Sequence, residues 1–287
     1  MIMRAIENLK FPTKRIRRYL DDYPHGPITL HTEADFRSML KIGRIAADVL
    51  DYITPHVAPG ISTAELDRKI HSQMTERGVI PATIGYNGYR HASCISVNHV
   101  AVHGIPSDRK ILKKGDIVNI DVTPRLDGPP SNHWHGDTSR MFMVGKVSVK
   151  AKRLLEATEK SLAAGILAAR PGNRLGDIGI ACGQVAKRYG YHIATDYCGH
   201  GIGLTFHDSP EVIHVEPENM GPLLLPGMIF TIEPILNAGK PDVKILSDGW
   251  TAVTRDRKPS AQAEHTVGIS EDGLVIFTKS HLSAAIL

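Results

Sequence analysis

The chain has 287 residues, 42% hydrophobic and 22% charged, which is room for one large α/β domain or two domains of about 150 residues, and this composition excludes collagen-like, largely disordered and coiled-coil classes. A formal net charge of +4 is too mild to make nucleic acid the principal substrate. No apolar run approaches the roughly 18 residues of a membrane span, no opening segment resembles a signal peptide, and Cys94, Cys182 and Cys198 form neither CxxC pairs nor an even set, so a reducing cytoplasmic setting is expected.

Residues 1–31 carry +3 of the net charge, with Lys14, Arg15, Arg17 and Arg18 clustered, and read as a basic N-terminal extension ending in the Pro/Gly-rich linker Asp21–Pro27. From Thr32, whose Thr-x-x-Asp pattern resembles a capping box, Phe36, Leu40, Ile45, Val49 and Ile53 recur at helical spacing up to Pro55. Pro59-Gly60 breaks the chain, and Ser62-Thr-Ala-Glu65 opens a second helix expected to stop at Gly78. Short β-rich runs follow at Cys94–Val97, Val100–His103, Asp116–Val122 and Arg140–Val144. A further long helix runs from about Ser148 to Arg170, Pro171-Gly172 interrupts it, and another helix ends near Gly190.

Sliding the chain by 112 residues superposes Pro59-Gly60 on Pro171-Gly172, Gly78 on Gly190, Ala82-Thr83 on Ala194-Thr195 and Gly115 on Gly227. The same offset lays Ile117-Val-Asn-Ile-Asp121 on Ile229-Phe-Thr-Ile-Glu233, so an apolar strand ends in a carboxylate in each copy. A fortuitous register in a Gly-rich chain is the competing explanation. If it is a duplication, residues 32–287 form one domain in which two helix-helix-sheet halves pair their strands, helices cover one face, and Asp121 meets Glu233 across a pseudo-twofold axis.

Two carboxylates meeting at the ends of apolar strands demand a cation between them. Further candidates lie in Asp137 of His135-Gly-Asp, His200 of Cys198-Gly-His-Gly-Ile-Gly203 and Glu264 of Ser260-Ala-Gln-Ala-Glu-His265. Four carboxylates and one imidazole form an oxygen-rich set that favours Mn, Fe(II), Co or Mg over sulfur-bound zinc. Their four negative charges balance two divalent ions, and a two-metal site suits peptide or ester hydrolysis. Taken alone, the Gly-His-Gly-Ile-Gly run is also compatible with a tight loop or a phosphate cradle, although the Lys-Ser/Thr of a P-loop is missing. His133-Trp-His135 reads as a surface loop rather than a metal-binding pair.

Val102-His-Gly-Ile-Pro106, Val118-Asn-Ile-Asp121, His135-Gly-Asp-Thr138, Cys198–Gly203, Phe230-Thr-Ile-Glu-Pro234 and Ser260–His265 stand in the order found in type I methionine aminopeptidases, which the chain resembles from about Thr32 onward. The resemblance implies an α/β pita-bread fold, internally duplicated around a central antiparallel sheet. It implies a dinuclear centre of cobalt, manganese, iron(II) or zinc ligated by Asp121, Asp137, His200, Glu233 and Glu264. It further assigns His103 to substrate binding or proton shuttling, His207 to the tetrahedral intermediate and Glu233 to general base catalysis. Tyr86, Tyr89, Cys94, Phe206 and Trp250 fall at positions resembling the family's methionine pocket, with ordinary core packing as the alternative reading of each. The implied substrates are the N-termini of nascent polypeptides, and the implied state is a monomer without membrane attachment.

Two features depart from that family's pattern. The stretch Val122–Gly136 between two expected ligands is longer than the usual bacterial hairpin and is expected to bulge near the site entrance. The basic extension is either a ribosome tether or a solvated tail packed on the domain. An Xaa-Pro aminopeptidase or prolidase is the rival enzyme class, disfavoured because only 31 residues precede the catalytic region. A type II methionine aminopeptidase would carry a long insertion between His200 and Glu233. The rival outside catalysis is a binding module of the same fold, which has no need of five ligands and two histidines.

Overall fold

The computed structural model describes residues 26–281 and the strand Ile16–Tyr19. The remaining residues of the basic extension, including Lys14 and Arg15, and most of the expected Asp21–Pro27 linker lie outside the described residues. Ile16–Tyr19 pairs antiparallel with Ile28–Leu30, and the end of the extension enters the core: Ile28 and Leu30 are buried, and the His31 amide donates to the Gly227 carbonyl at 2.7 Å.

Four helices follow the sequence signals closely. Helix α1 (Glu33–Ile53) is capped by Thr32, whose hydroxyl accepts from the Asp35 amide while the Asp35 carboxylate accepts from the Thr32 amide. Its buried stripe is Phe36, Met39, Ile42, Ala46, Val49, Leu50 and Ile53, whereas the predicted Leu40 and Ile45 flank it, partly buried. Each large side chain fully removed from water on this face contributes about 1.5–3 kcal/mol. Helix α2 (Thr63–Glu76) starts on Ser62, which accepts from the Glu65 amide, and ends before Gly78 at φ +69°. Helices α3 (Val149–Ala168) and α4 (Leu175–Tyr189) form the second pair, with Ser148 capping the first and Gly190 at φ +76° closing the second. The break at Pro171-Gly172 therefore matches the break at Pro59-Gly60, as the 112-residue offset requires.

Antiparallel strands lie between the helix pairs. In the first half, Cys94–Val97, Ile117–Val122 and Thr138–Met143 form a three-stranded ladder that places Cys94 opposite Asp121. In the second, Ile229–Ile232 sits between Gly199–Gly201 and His265–Ser270 in a five-stranded sheet. The expected pairing of the two halves is made by one short ladder, Val100–Val102 against Ala252–Thr254, and by cross-links rather than by a single continuous sheet. Asn119 Nδ2 donates to the Gln262 carbonyl at 3.0 Å, Thr138 Oγ1 to the Glu264 carbonyl at 2.8 Å, and the Glu264 amide to the Ser139 carbonyl at 3.3 Å. Sheet division follows from the short strands, two to six residues each, whose twist and bends interrupt the hydrogen bonding while side-chain polar groups satisfy the seam. Among the described residues no helix is long and apolar enough to cross a membrane.

Candidate metal centre and substrate cavity

The structure brings all twelve residues singled out from the sequence to one cavity of about 530 Å³. Asp121 and Glu233 reach it from the matched strand ends of the two halves, Asp137 from the residue before Thr138–Met143, Glu264 from the residue before His265–Ser270, and His200 from Gly199–Gly201. Ligand atoms of Asp137, His200 and Glu264 lie within 4.8 Å of one another. His200 Nε2 is 3.6 Å from Asp137 Oδ2 and 3.7 Å from Glu233 Oε1.

The Gly-His-Gly run is a strand here, which excludes both the tight-loop and the phosphate-cradle readings. A Cβ at position 201 would collide with the Ser209 carbonyl and one at 199 with the Thr231 carbonyl, so only glycine lets His200 sit this deep between neighbouring strands. The His200 amide donates to Thr231 Oγ1 at 3.0 Å, and the same hydroxyl donates to Glu233 Oε1 at 2.9 Å. Gln262 Nε2 donates to Glu233 Oε2 at 3.1 Å, and buried His214 accepts the Glu233 amide through Nε2 at 3.0 Å. Thr123 Oγ1 donates to Asp137 Oδ1 at 2.9 Å, while Thr266 Oγ1 donates to the Asp137 carbonyl at 2.7 Å. Sequence reasoning missed Thr123, His214, Thr231, Gln262 and Thr266. Thr231 lies two residues from its acidic partner Glu233, and that period-two spacing was the available signal, whereas Gln262 reaches Glu233 from 29 residues away and carried none.

Burial first, and then repulsion from Asp137 and Glu233, pushes the carboxyls of Asp121 and Glu264 well above the ordinary carboxylate range. Glu233 is raised to about 7 by burial, moderated by His200 and by the Thr231 and Gln262 hydrogen bonds. For His200, burial works against the charge, but the Asp137 contact and the Glu233 carboxylate outweigh it and raise the pKa. Oδ1 of Asp121 is buried without a hydrogen-bond partner. Such an orphan acceptor, crowded by other carboxyls and one imidazole, fits a site for divalent cations and no other evident filling.

Beside the carboxylates the cavity turns aromatic. Tyr89 and Trp250 meet edge to face with ring centroids 5.0 Å apart, Tyr86 lies 5.0 Å from Phe206, and Cys94 is buried next to Tyr89. His207 stacks on Phe206 at 4.1 Å and stands 4.2 Å from the His200 ring; burial holds it neutral with a pKa lowered to about 3. His103, at φ +56°, occupies the left-handed region rarely taken by a residue with a Cβ, and burial lowers its pKa to about 4. Asp196, Asp208 and Glu211 also line the cavity, and none was singled out from the sequence.

His133-Trp-His135 is not a surface loop: Trp134 and His135 are 3% and 6% exposed. Trp134 packs on His31 at 5.6 Å, and His135 stacks on Phe206 at 5.7 Å. The aromatic rings find apolar cover that charge-free loop residues around them concealed in the sequence. Within the long connection before Asp137, Pro124–Leu126 pairs with Val79–Pro81, and the exposed part is confined to residues 127–132.

This duplicated scaffold, with cation-seeking carboxylates beside an aromatic cavity, defines a metal-dependent hydrolase. The model of metallopeptidase family M24 matches residues 37–271. A methionine aminopeptidase of Rickettsia prowazekii (strain Madrid E) is 49% identical over 255 residues, covering 88% of this chain and 96% of that protein. The crystal structure of methionine aminopeptidase from Rickettsia prowazekii superposes with a TM-score of 0.84 at 48% identity, over 88% of this chain and 100% of that one. Prolidase from Pyrococcus furiosus, 24% identical over 88% of this chain and 66% of its own, has a TM-score of 0.71 and shares the fold. The chain belongs to metallopeptidase family M24 and, within it, to the methionine aminopeptidases, and its fold is their pita-bread fold.

Proposed function

We propose that this protein removes the initiator methionine from the N-termini of nascent polypeptides, with Asp121, Asp137, His200, Glu233 and Glu264 holding two divalent ions. The observation that carries this reading is the orphaned Asp121 Oδ1 among crowded carboxyls, opening onto a cavity walled by Tyr89, Cys94, Phe206 and Trp250. Cobalt, manganese, iron(II) and zinc all suit such a set, and when bound the ions supply Lewis-acid polarisation of the scissile carbonyl and a more acidic water.

The protein's own groups do the rest. Glu233, poised near neutrality and fixed by Thr231, Gln262 and His214, takes the proton of the attacking water and returns it to the departing amine. Neutral His207 has one ring N–H to donate to the oxygen on which charge develops, and neutral His103 has one for the substrate backbone. The thioether packs against ring edges and the Cys94 sulfur, a surface matched to a flexible, polarisable side chain.

Protein loaded with Mn(II) is expected to release methionine from Met-Ala-Ser and to spare Leu-Ala-Ser. Cleavage of Xaa-Pro peptides with Met-Ala-Ser untouched would move the assignment to the proline-specific peptidases, and no turnover with any divalent metal would leave a binding module. The action on nascent chains places the protein in the cytoplasm, as a monomer whose basic extension, Lys14, Arg15, Arg17 and Arg18, contacts ribosomal RNA. Deleting residues 1–25 should leave tripeptide cleavage intact and weaken salt-sensitive co-sedimentation with ribosomes; unchanged co-sedimentation removes the tether.

A further inference from the structure

Between Tyr89 and the strand Cys94–Val97 the chain makes no ladder, yet it carries both ends of the aromatic-thiol wall. Its anchor is Asp67 on α2, 8% exposed. Asp67 Oδ1 accepts the Ser93 amide at 2.9 Å and the Ser93 hydroxyl at 2.7 Å, and Oδ2 lies 3.3 Å from His91 Nδ1. Ser93 is fully buried, and its carbonyl accepts the Tyr89 hydroxyl at 2.9 Å. Tyr89 in turn presents its ring edge to Trp250, and Cys94 follows Ser93 directly and lies opposite Asp121 in the ladder. The Gly85 amide holds the Tyr89 carbonyl at 2.8 Å and the Thr83 hydroxyl the His91 carbonyl at 2.7 Å, while at Ser93, where the cavity wall is built, the Asp67 carboxylate takes the place of a strand partner.

We propose that Asp67, outside the cavity, is a positioning residue that sets side-chain selectivity by holding the 91–93 segment, and through it Tyr89 and Cys94, against Trp250. The charge matters less than the acceptor: an amide oxygen at the same place still accepts from the Ser93 amide and hydroxyl. The inference rests on the reading of this cavity as a methionine pocket, and two measurements separate the two claims.

Full-length Mn(II)-loaded enzyme is compared as wild type, Asp67→Ala, Asp67→Asn and Ser93→Ala on Met-Ala-Ser, norleucine-Ala-Ser and Leu-Ala-Ser. Asp67→Ala should cut the preference for methionine over leucine at least about fivefold, through KM, with kcat within about twofold and Mn(II) affinity unchanged. Asp67→Asn should recover most of that preference, and Ser93→Ala should shift it in the same direction by less. Iodide quenching of tryptophan fluorescence should also rise in Asp67→Ala, because Trp250 loses its Tyr89 neighbour while Trp134 stays buried. An equal loss on all three peptides, a loss confined to kcat, or wild-type selectivity in Asp67→Ala overturns the proposal. If Asp67→Ala shows no cooperative melting, Ser93→Ala decides, and unchanged selectivity there overturns it. If the wild type itself does not prefer methionine, the pocket reading fails, and quenching alone judges the positioning.

Discussion

Asp121 and Glu233 occupy equivalent strand ends in the two halves, 112 residues apart, yet their surroundings have diverged. Asp121 has a buried oxygen with no partner and a carboxyl pushed well above its ordinary range by burial and by neighbouring acids. Glu233 receives hydrogen bonds from Thr231 and Gln262, faces His200, and settles near 7. One scaffold position has thus produced a carboxylate with an oxygen left unpaired and another hydrogen-bonded and set near neutral pH, which suits the cation and proton roles proposed for them. Duplication supplies the geometry, and the side chains packed around each carboxylate, Thr231, Gln262 and His200 at Glu233, supply the difference.

The sharpest break in this comparison is removal of a cation-seeking group. Asp121→Asn or Glu264→Ala should lower kcat/KM at least about a thousandfold while circular dichroism stays native, because crowded buried carboxyls raised well above their ordinary range add little to the fold. His207→Ala should lower kcat about a hundredfold or more, through loss of one donor to the developing oxyanion. Near-normal turnover in any of these variants removes the role assigned to that residue.

Next in size is the response to metal. Wild-type protein should melt several degrees higher with excess Mn(II) than after exhaustive chelation, since a ligand bound only by the native state stabilises it. In Asp121→Asn that increment should shrink, and the chelated variant should melt at or above chelated wild type, because one buried acid no longer opposes the others. Differential scanning calorimetry of the four samples tests both halves of the expectation.

Smaller effects sharpen the comparison. His103 has a folded pKa of about 4, below the unfolded value of about 6.5, so the unfolded state binds its proton first as pH falls. This group's contribution to stability is therefore full above about 6.5 and is lost progressively toward pH 4. Relative to wild type, His103→Gln should gain about 2 kcal/mol between pH 7 and pH 5 in urea unfolding; a constant difference across that range would show His103 to be freely protonated in the fold. Thr231→Val, which removes the hydroxyl linking the His200 amide to Glu233, should cost about 1 kcal/mol of stability and about fivefold in kcat/KM.

Much of this architecture was readable in the chain. Thr32, Ser62 and Ser148 mark helix starts by the same capping chemistry seen in the structure, and Gly78 and Gly190 mark helix ends by their left-handed backbone. These are local effects, decided within one turn of helix. The candidate ligands were readable for another reason: carboxylates that interrupt apolar strand ends are costly unless something compensates them, so their positions stand out. His133-Trp-His135 was misread because a short aromatic stretch between Gly, Pro and Asn looks the same whether exposed or covered, and His31 and Phe206, which cover it, are about 70 to 100 residues away in the chain.

The amino-acid order on its own determined the helices, the duplication and the inventory of acids and histidines, since periodicity, caps and chemical type act over a few residues or repeat at a fixed offset. Tertiary packing decided which hydroxyl or amide restrains each acid, that Asp121 lacks such a restraint while Glu233 has two, and that Asp67 of a distant helix supports the wall of the cavity. Hydrogen bonds and desolvation depend on separations of a few ångströms between segments far apart along the chain, and those separations exist only once the two halves have closed on each other.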